Sequence, residues 1–322
     1  MVEKPQTVAL ELSSACSFGC AYCDRVNWRD GSQQVRRRQH MEVDLFKGLV
    51  DELVTWTPPP ALTISYEGES LFHPQLFELL AYLRASGVRP WLSTSLCLFD
   101  RMLFGALLET CSTIHVSLDG LLEEFTRIRG TAEQFHIVEE HLLELLKLRA
   151  ELASTTEITV SMTVCPPVTV ISSPIEEFLI RWHGKVDQIY FWQMTNYKEK
   201  ITLACRQGVE KHLKNRRICT QPFVYLAVLS DGRISPCCNT SRFVLPGIDA
   251  SSGLFSVLNS AQLQAFRRQH KKFELSGLCC EFCELWLENW LGDEQIMLPF
   301  GDRQLAGLLE GNSIRIPGEL AI

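Results

Sequence analysis

The chain has 322 residues, 46% of them hydrophobic, and a formal charge of −7 at pH 7; this suits one large or two modest domains and excludes a global basic field for nucleic acid. The start, Met-Val-Glu-Lys-Pro, lacks the apolar stretch of a secretion signal, and no apolar run reaches a membrane-spanning length, so the expected setting is cytoplasmic with no membrane partner. The 13 cysteines are odd in number and cluster at short spacings, which points to metal ligation in a reducing compartment rather than to a disulfide frame.

Residues 6–12 read as a short buried strand. The stretch that follows holds Cys16, Cys20 and Cys23 at the spacing C-x3-C-x2-C, with Tyr22 just before the third cysteine. Three thiolates this close on a loop can hold three irons of a cubic [4Fe–4S] cluster and leave the fourth iron open. The plainer readings are three free thiols or a zinc site, although structural zinc ordinarily wants four protein ligands. Residues 24–40 are polar and basic, with Arg25, Arg29, Arg36, Arg37, Arg38 and His40. They form a solvated loop or a docking face for an acidic electron donor or an anionic substrate. A helix follows over 41–57 by its apolar period and stops at Pro58-Pro59-Pro60.

Strand-like runs at 61–66, 90–96, 113–118, 157–164 and 187–194 then alternate with helical patterns at 75–86, 101–110, 132–152 and 173–182. With the first strand they make a series of β/α units, which predicts an α/β fold with a parallel sheet and helices outside. The series is too short to close an eight-stranded barrel, and its chemistry is expected at the carboxyl ends of the strands. The second strand ends in Tyr66-Glu-Gly-Glu-Ser-Leu-Phe-His-Pro74, which includes Gly68, Glu69 and a loop-bonding His73. The third ends at Ser93-Thr-Ser-Leu-Cys97, and Cys97 reads as a buried, inert thiol. The fourth ends at Val116-Ser-Leu-Asp-Gly120, with Arg127 and Arg129 downstream; Asp119-Gly120 alone would be a turn. The fifth ends at Cys165, and the sixth is dense in aromatics, most of them expected in the core.

Composition shifts near residue 200, where 198–217 reads as a polar linking helix. Two apolar runs then flank Asp231-Gly232, a hairpin signal. Cys219 precedes this hairpin, and Cys237 and Cys238 follow it. A helical stretch over 254–273 leads to Cys279, Cys280 and Cys283. Paired cysteines around a hairpin also suit a zinc ribbon. The tail, 292–322, carries a short helix pattern at 304–309 and is expected to pack back on the barrel or cap the site. The expected division is 1–200, 201–291 and 292–322.

With its C-x3-C-x-aromatic-C loop after the first strand, the chain resembles the radical S-adenosylmethionine (SAM) enzymes. The resemblance implies a partial (β/α)6 barrel in which SAM chelates the open iron and is cleaved by one electron to a 5′-deoxyadenosyl radical that abstracts a substrate hydrogen. Gly68-Glu69 is similar to the family's G-G-E-P segment, with Glu67 and Ser70 in place of the usual Gly and Pro. That implies SAM contacts at Tyr22, Gly68 and Glu69, with Glu69 on the amino group. By the same resemblance Ser117 and Arg129 reach the SAM carboxylate, with Arg127 a rival. One or two sixth-strand aromatics would line the adenine or substrate pocket.

The later cysteines resemble the Twitch domain, a shortened SPASM domain, small and cysteine-rich and built of a β-hairpin and helix. This implies a second, auxiliary [4Fe–4S] cluster on Cys219, Cys237, Cys280 and Cys283, with Cys238 and Cys279 as alternatives in register. The implied reaction is oxidation or crosslinking of a ribosomal peptide or small natural-product precursor, with a flavodoxin or ferredoxin-type reductant. The alternatives are dehydrogenation of a sugar or aminocyclitol, or epimerisation with a cysteine as hydrogen donor. Cys238 is the first candidate donor, ahead of Cys97, Cys165 and Cys279. A non-catalytic electron carrier would not need Gly68, Glu69 and Ser117.

Overall fold

The computed structural model describes residues 3–23, 39–164, 173–193, 217–238, 243–278, 280–281, 283, 294–300, 303–310 and 313–317. The basic run from Arg25 to Arg38, most of the expected linking helix, Cys165 and Cys279 lie outside these residues.

Strands β1 (Thr7–Leu10), β2 (Ala61–Thr63), β3 (Trp91–Thr94), β4 (Thr113–Ser117), β5 (Glu157–Val164) and β6 (Gln188–Gln193) pair in parallel, in chain order. Between them run α1 (Val43–Val54), α2 (Leu76–Ala85), α3 (Arg101–Thr110), α4 (Leu122–Ile128), α5 (Ala132–Glu151) and α6 (Ser173–Trp182). The sheet is open, as a partial barrel must be. Local chemistry sets the helix starts: the Asp100 carboxylate accepts from Leu103 N at 2.9 Å, and Thr131 and Gln134 form a reciprocal capping box.

The strands present two faces. Val8, Leu10, Leu62, Ile64, Leu92, Ile114, Val116, Ile158, Val160, Ile189 and Phe191 are buried with the apolar faces of the helices. Successive strand residues point to opposite faces, so the other set, which includes Ser93, His115, Ser117, Thr159 and Ser161, faces the lumen. That face mixes polar and aromatic side chains: the His115 ring meets Thr159 Oγ1 at 2.8 Å and Ser161 Oγ at 3.0 Å and stacks on Trp91. Barrels of this kind more often fill the lumen with branched aliphatics.

Both edges are extended. Strand β7 (Tyr225–Val228) pairs parallel with β1, and β8 (Ile234–Ser235) returns antiparallel through a turn with Gly232 at φ +83°. Buried Glu11, just past β1, accepts from Ser230 N at 2.9 Å and so welds the hairpin to that edge. At the other edge β11 (Ser313–Pro317) pairs antiparallel with β6 and is followed outward by β10 (Arg303–Glu310) and β9 (Glu294–Phe300). The tail does pack against the barrel, but the helix expected at 304–309 is strand β10. So short an apolar pattern does not distinguish the two periods, and pairing with β9 decides it. The helical stretch expected over 254–273 is two helices, Leu254–Asn259 and Ala261–Lys272, parted at Ser260, whose Oγ accepts from Leu263 N at 3.2 Å.

Burial holds the His115 pKa down, from 6.5 to about 4. The unfolded chain therefore takes up a proton that the folded one refuses, and the stability tied to neutral His115 is complete above pH 6.5 and lost as pH falls toward 4. The urea midpoint of the metal-free protein should fall over that window by the equivalent of up to about 3 kcal/mol. In His115→Gln that part of the slope should vanish.

Candidate active site

The loop after β1 is closed by its own backbone. Ser14 N donates to Gln39 O at 3.0 Å and Met41 N to Leu12 O at 2.9 Å, while Ala21 N donates to Ile128 O at 2.7 Å. Its thiols line a cavity of about 270 Å³ at the carboxyl ends of the strands. Cys16, Cys20 and Cys23 share that wall with Tyr22, Gly68, Glu69, Ser117 and Arg129, and also with Tyr66 and Cys238. Burial raises the Cys20 pKa, and Arg129 beside it works the other way.

Gly68 permits the closest approach. A Cβ there would lie 1.9 Å from the Ser13 carbonyl oxygen, and Glu69 N donates to Ala15 O at 2.7 Å. The loop and the second-strand segment thus lie backbone against backbone. The Glu69 carboxylate is buried and fixed by the end of β3: Oε1 accepts from Thr94 Oγ1 at 2.8 Å, and Oε2 from Ser95 N at 2.7 Å and Ser95 Oγ at 2.6 Å. Ser117 Oγ lies 3.5 Å from Ser93 Oγ. His73 is a loop bonder: its Nδ1 accepts from Gln75 N at 3.1 Å, so Nε2 donates to Met41 O at 2.8 Å. Cys97 does not line the cavity, and burial raises its thiol pKa.

Arg129 sits at the end of α4 and points inward, whereas Arg127 is exposed. Its Nε donates to Asp119 Oδ2 at 2.5 Å and its Nη2 to the Tyr22 hydroxyl at 3.2 Å; that hydroxyl in turn donates to Asp119 Oδ2 at 2.7 Å. Burial by itself lowers the Arg129 pKa, but the paired Asp119 carboxylate, by charge and hydrogen bond, outweighs it and holds it well above its ordinary value. Burial also raises the Tyr22 pKa well above the usual phenol, so the ring stays protonated. The guanidinium lies 5.8 Å from the Phe18 ring centre.

The hairpin approaches from the β2 side. The Tyr66 hydroxyl lies 2.7 Å from Cys237 O and 3.2 Å from Ser235 Oγ. Cys237 therefore follows β8 at the cavity's edge, and Cys238 lines the cavity itself. Cys219 stands just before a helical turn at Gln221–Val224, and Cys283 N donates to Cys280 O at 3.2 Å. All four expected auxiliary ligands are half-buried.

Among the described residues no three Cys, His, Asp or Glu side chains gather tightly enough to grip a single ion. A cube takes each thiolate on a different iron, whereas zinc gathers its ligands round one point. Three thiols lining one cavity together with a fixed carboxylate and a fixed guanidinium fit a cluster beside a zwitterionic ligand. Asp119, Tyr66, Thr94 and Ser95 are functional neighbours that sequence reasoning missed. Asp119 was legible only as half of a turn, although an arginine ten residues on is a signal that a buried partner exists.

Residues 219–284 match the SPASM family model, an iron-sulfur cluster-binding domain; the matched span opens on Cys219 and closes one residue after Cys283. A curated relative, Fe-coproporphyrin III synthase of Methanosarcina barkeri, is 28% identical over 134 residues, which span 41% of this chain and 32% of the relative. Among solved structures, Streptococcus suis SuiB bound to S-adenosylmethionine superposes with a TM-score of 0.60 at 13% identity, over 88% of this chain and 72% of that one. SuiB has also been solved with its precursor peptide SuiA. Native anSMEcpe with bound AdoMet gives 0.61 at 15% identity, over 87% and 88%, and has been solved with the Cp18Cys peptide as well.

Gly68→Ala should part the loop from the second-strand segment. It should cost about 1–3 kcal/mol in thermal melts of the metal-free protein. Gly19→Ala, in the same loop but with nothing within 4 Å of the added carbon, should stay within about 0.5 kcal/mol of wild type.

Proposed function

We infer that this chain, a radical SAM protein of the SPASM type, is an enzyme that abstracts hydrogen from its substrate and completes an oxidation or crosslink on a peptide. The observation that carries the reading is the single cavity whose wall combines Cys16, Cys20 and Cys23 with Glu69, Ser117 and Arg129. Cys16, Cys20 and Cys23 would hold one [4Fe–4S] cluster, and Cys219, Cys237, Cys280 and Cys283 an auxiliary one. When bound, the first cluster and SAM supply a one-electron cleavage that yields a primary carbon radical.

The residues do the rest. Glu69 offers a carboxylate to the SAM ammonium, while Ser117 and Arg129 offer donors to its carboxylate. A carboxylate and an oriented guanidinium edge lining one cavity can take different groups of one zwitterion and so set its sense. Tyr22 and Phe18 screen the loop from water on the Arg129 side. Peptide substrates are supported by the peptides bound in SuiB and anSMEcpe. A small-molecule substrate is the second reading, favoured by the name of the curated relative, Fe-coproporphyrin III synthase. A flavodoxin or ferredoxin-type protein is the proposed reductant.

Anaerobically reconstituted protein should hold about eight irons, and about four after Cys16, Cys20 and Cys23 are replaced together by Ala. Incubation with SAM and dithionite should release 5′-deoxyadenosine from the first preparation alone. Wild type with no such release, or with zinc in place of iron, would remove the reading.

Cys238 separates oxidation from epimerisation. Cys238 lines the cavity, which supports its candidacy as donor to a substrate radical that needs a hydrogen. Oxidation gives a product lighter by two hydrogens and an unchanged product pattern in Cys238→Ala. Epimerisation gives a product of unchanged mass in ordinary water that gains one deuterium in deuterium oxide, and a stalled variant. Mass spectrometry in deuterium oxide should show the first outcome.

A further inference from the structure

We propose that Asp119 is the positioning residue of the SAM subsite, acting through Arg129 and tying it to the cluster loop; this rests on the reading of Arg129 as the group that meets the SAM carboxylate. Asp119 follows β4 in the left-handed region, at φ +59°, ahead of Gly120 at φ +127°. Its carboxylate is 1% exposed, and both of its oxygens are taken. Oδ1 accepts from Thr163 N at 3.1 Å and from Thr163 Oγ1 at 2.5 Å, which fixes the carboxylate plane from β5. Oδ2 accepts from Arg129 Nε and from the Tyr22 hydroxyl, while Arg129 Nη2 donates to the same hydroxyl.

The result is a closed triangle of hydrogen bonds between the end of β4, the end of α4 and the loop that carries Cys20 and Cys23. A guanidinium is planar with its donors in a fixed fork. Once its Nε edge is pinned to Asp119, the direction of the remaining edge is set, and Arg129 lines the cavity. Because Asp119 offsets the charge of Arg129, the arginine adds little long-range attraction. What it contributes to a carboxylate is a donor edge already oriented, with no further ordering on binding. Tyr22 is held by the same oxygen, so the loop and the arginine are positioned together.

The test uses the full-length, anaerobically reconstituted protein in four forms: wild type, Asp119→Asn, Arg129→Met and the double variant. Asparagine keeps the shape and can still accept from Thr163, but it turns a donor toward Arg129 and Tyr22. Asp119→Asn should weaken SAM binding by about tenfold or more in equilibrium dialysis, with iron content unchanged. The double variant should bind SAM no more weakly than Arg129→Met alone, because a residue that acts through another adds nothing once the other is gone. In the metal-free protein, amide exchange at 21–23 should quicken in Asp119→Asn. Thr163→Val, which removes one of the four donors, should weaken SAM binding in the same direction by a smaller factor and covers the case in which Asp119→Asn does not fold.

Three results would overturn the proposal. Either soluble Asp119 or Thr163 variant could bind SAM as wild type does while Arg129→Met is impaired. The losses could multiply in the double variant, which would make the role of Asp119 separate from Arg129. Arg129→Met itself could bind SAM normally, which fails the reading of Arg129 and the proposal with it, and is told apart from the first two by that single variant.

Discussion

A strand places neighbouring side chains on opposite faces, and most of this molecule follows from how that alternation is filled. One face of β1 to β6 is aliphatic and merges with the helices into a continuous core. The other carries polar and aromatic side chains and faces the lumen, where His115, Thr159 and Ser161 satisfy one another and Ser65, Ser93 and Ser117 reach the cavity wall. An aliphatic lumen would close by packing. This one closes by hydrogen bonds and by the packed rings of Trp91, His115 and Tyr190, and a cavity remains at the carboxyl ends. The fold's stability thus resides outside the sheet and its chemistry inside it, so the chemistry can vary with little change to the core.

At the top of the lumen the governing problem is how to hold charges without water. The solutions differ on the two sides. Glu69 is held by neutral donors from Thr94 and Ser95. Arg129 is paired with Asp119, so its positive charge is offset and only its direction remains. The lining therefore combines a carboxylate held by neutral donors, a pre-oriented guanidinium and the thiols of the loop.

Much of this was legible. Cysteine spacing is a local property, and the two apolar periods persist over long segments, so the loop, the β/α alternation and the hairpin at Asp231-Gly232 could be read directly. What could not be read was whatever depends on partners distant in sequence. Asp119 looked like a turn because its partners, Tyr22 and Thr163, lie far from it in the chain and meet it only in the folded sheet. Strand β10 looked helical because six residues do not fix a period, and β9 does. The short helix α4 went unseen between Gly120 and Arg129, and the direction in which Arg129 points depends on where it ends. Tyr66 was an unremarked neighbour of Gly68 until the hairpin came to lie beside it.

The pairing of β1 with β7 also gives the molecule an order of assembly. Thr7 through Leu10 lie beside Tyr225 through Val228, so the strand that launches the cluster loop gains its second neighbour only when most of the chain has been made. Non-local pairings of this kind form late, since their closure entropy must be met first. Until then β1 is an open sheet edge with three thiols at its end and no hairpin behind Tyr66. During synthesis the loop is thus a set of exposed soft ligands, open to any thiophilic metal, before it is a walled site.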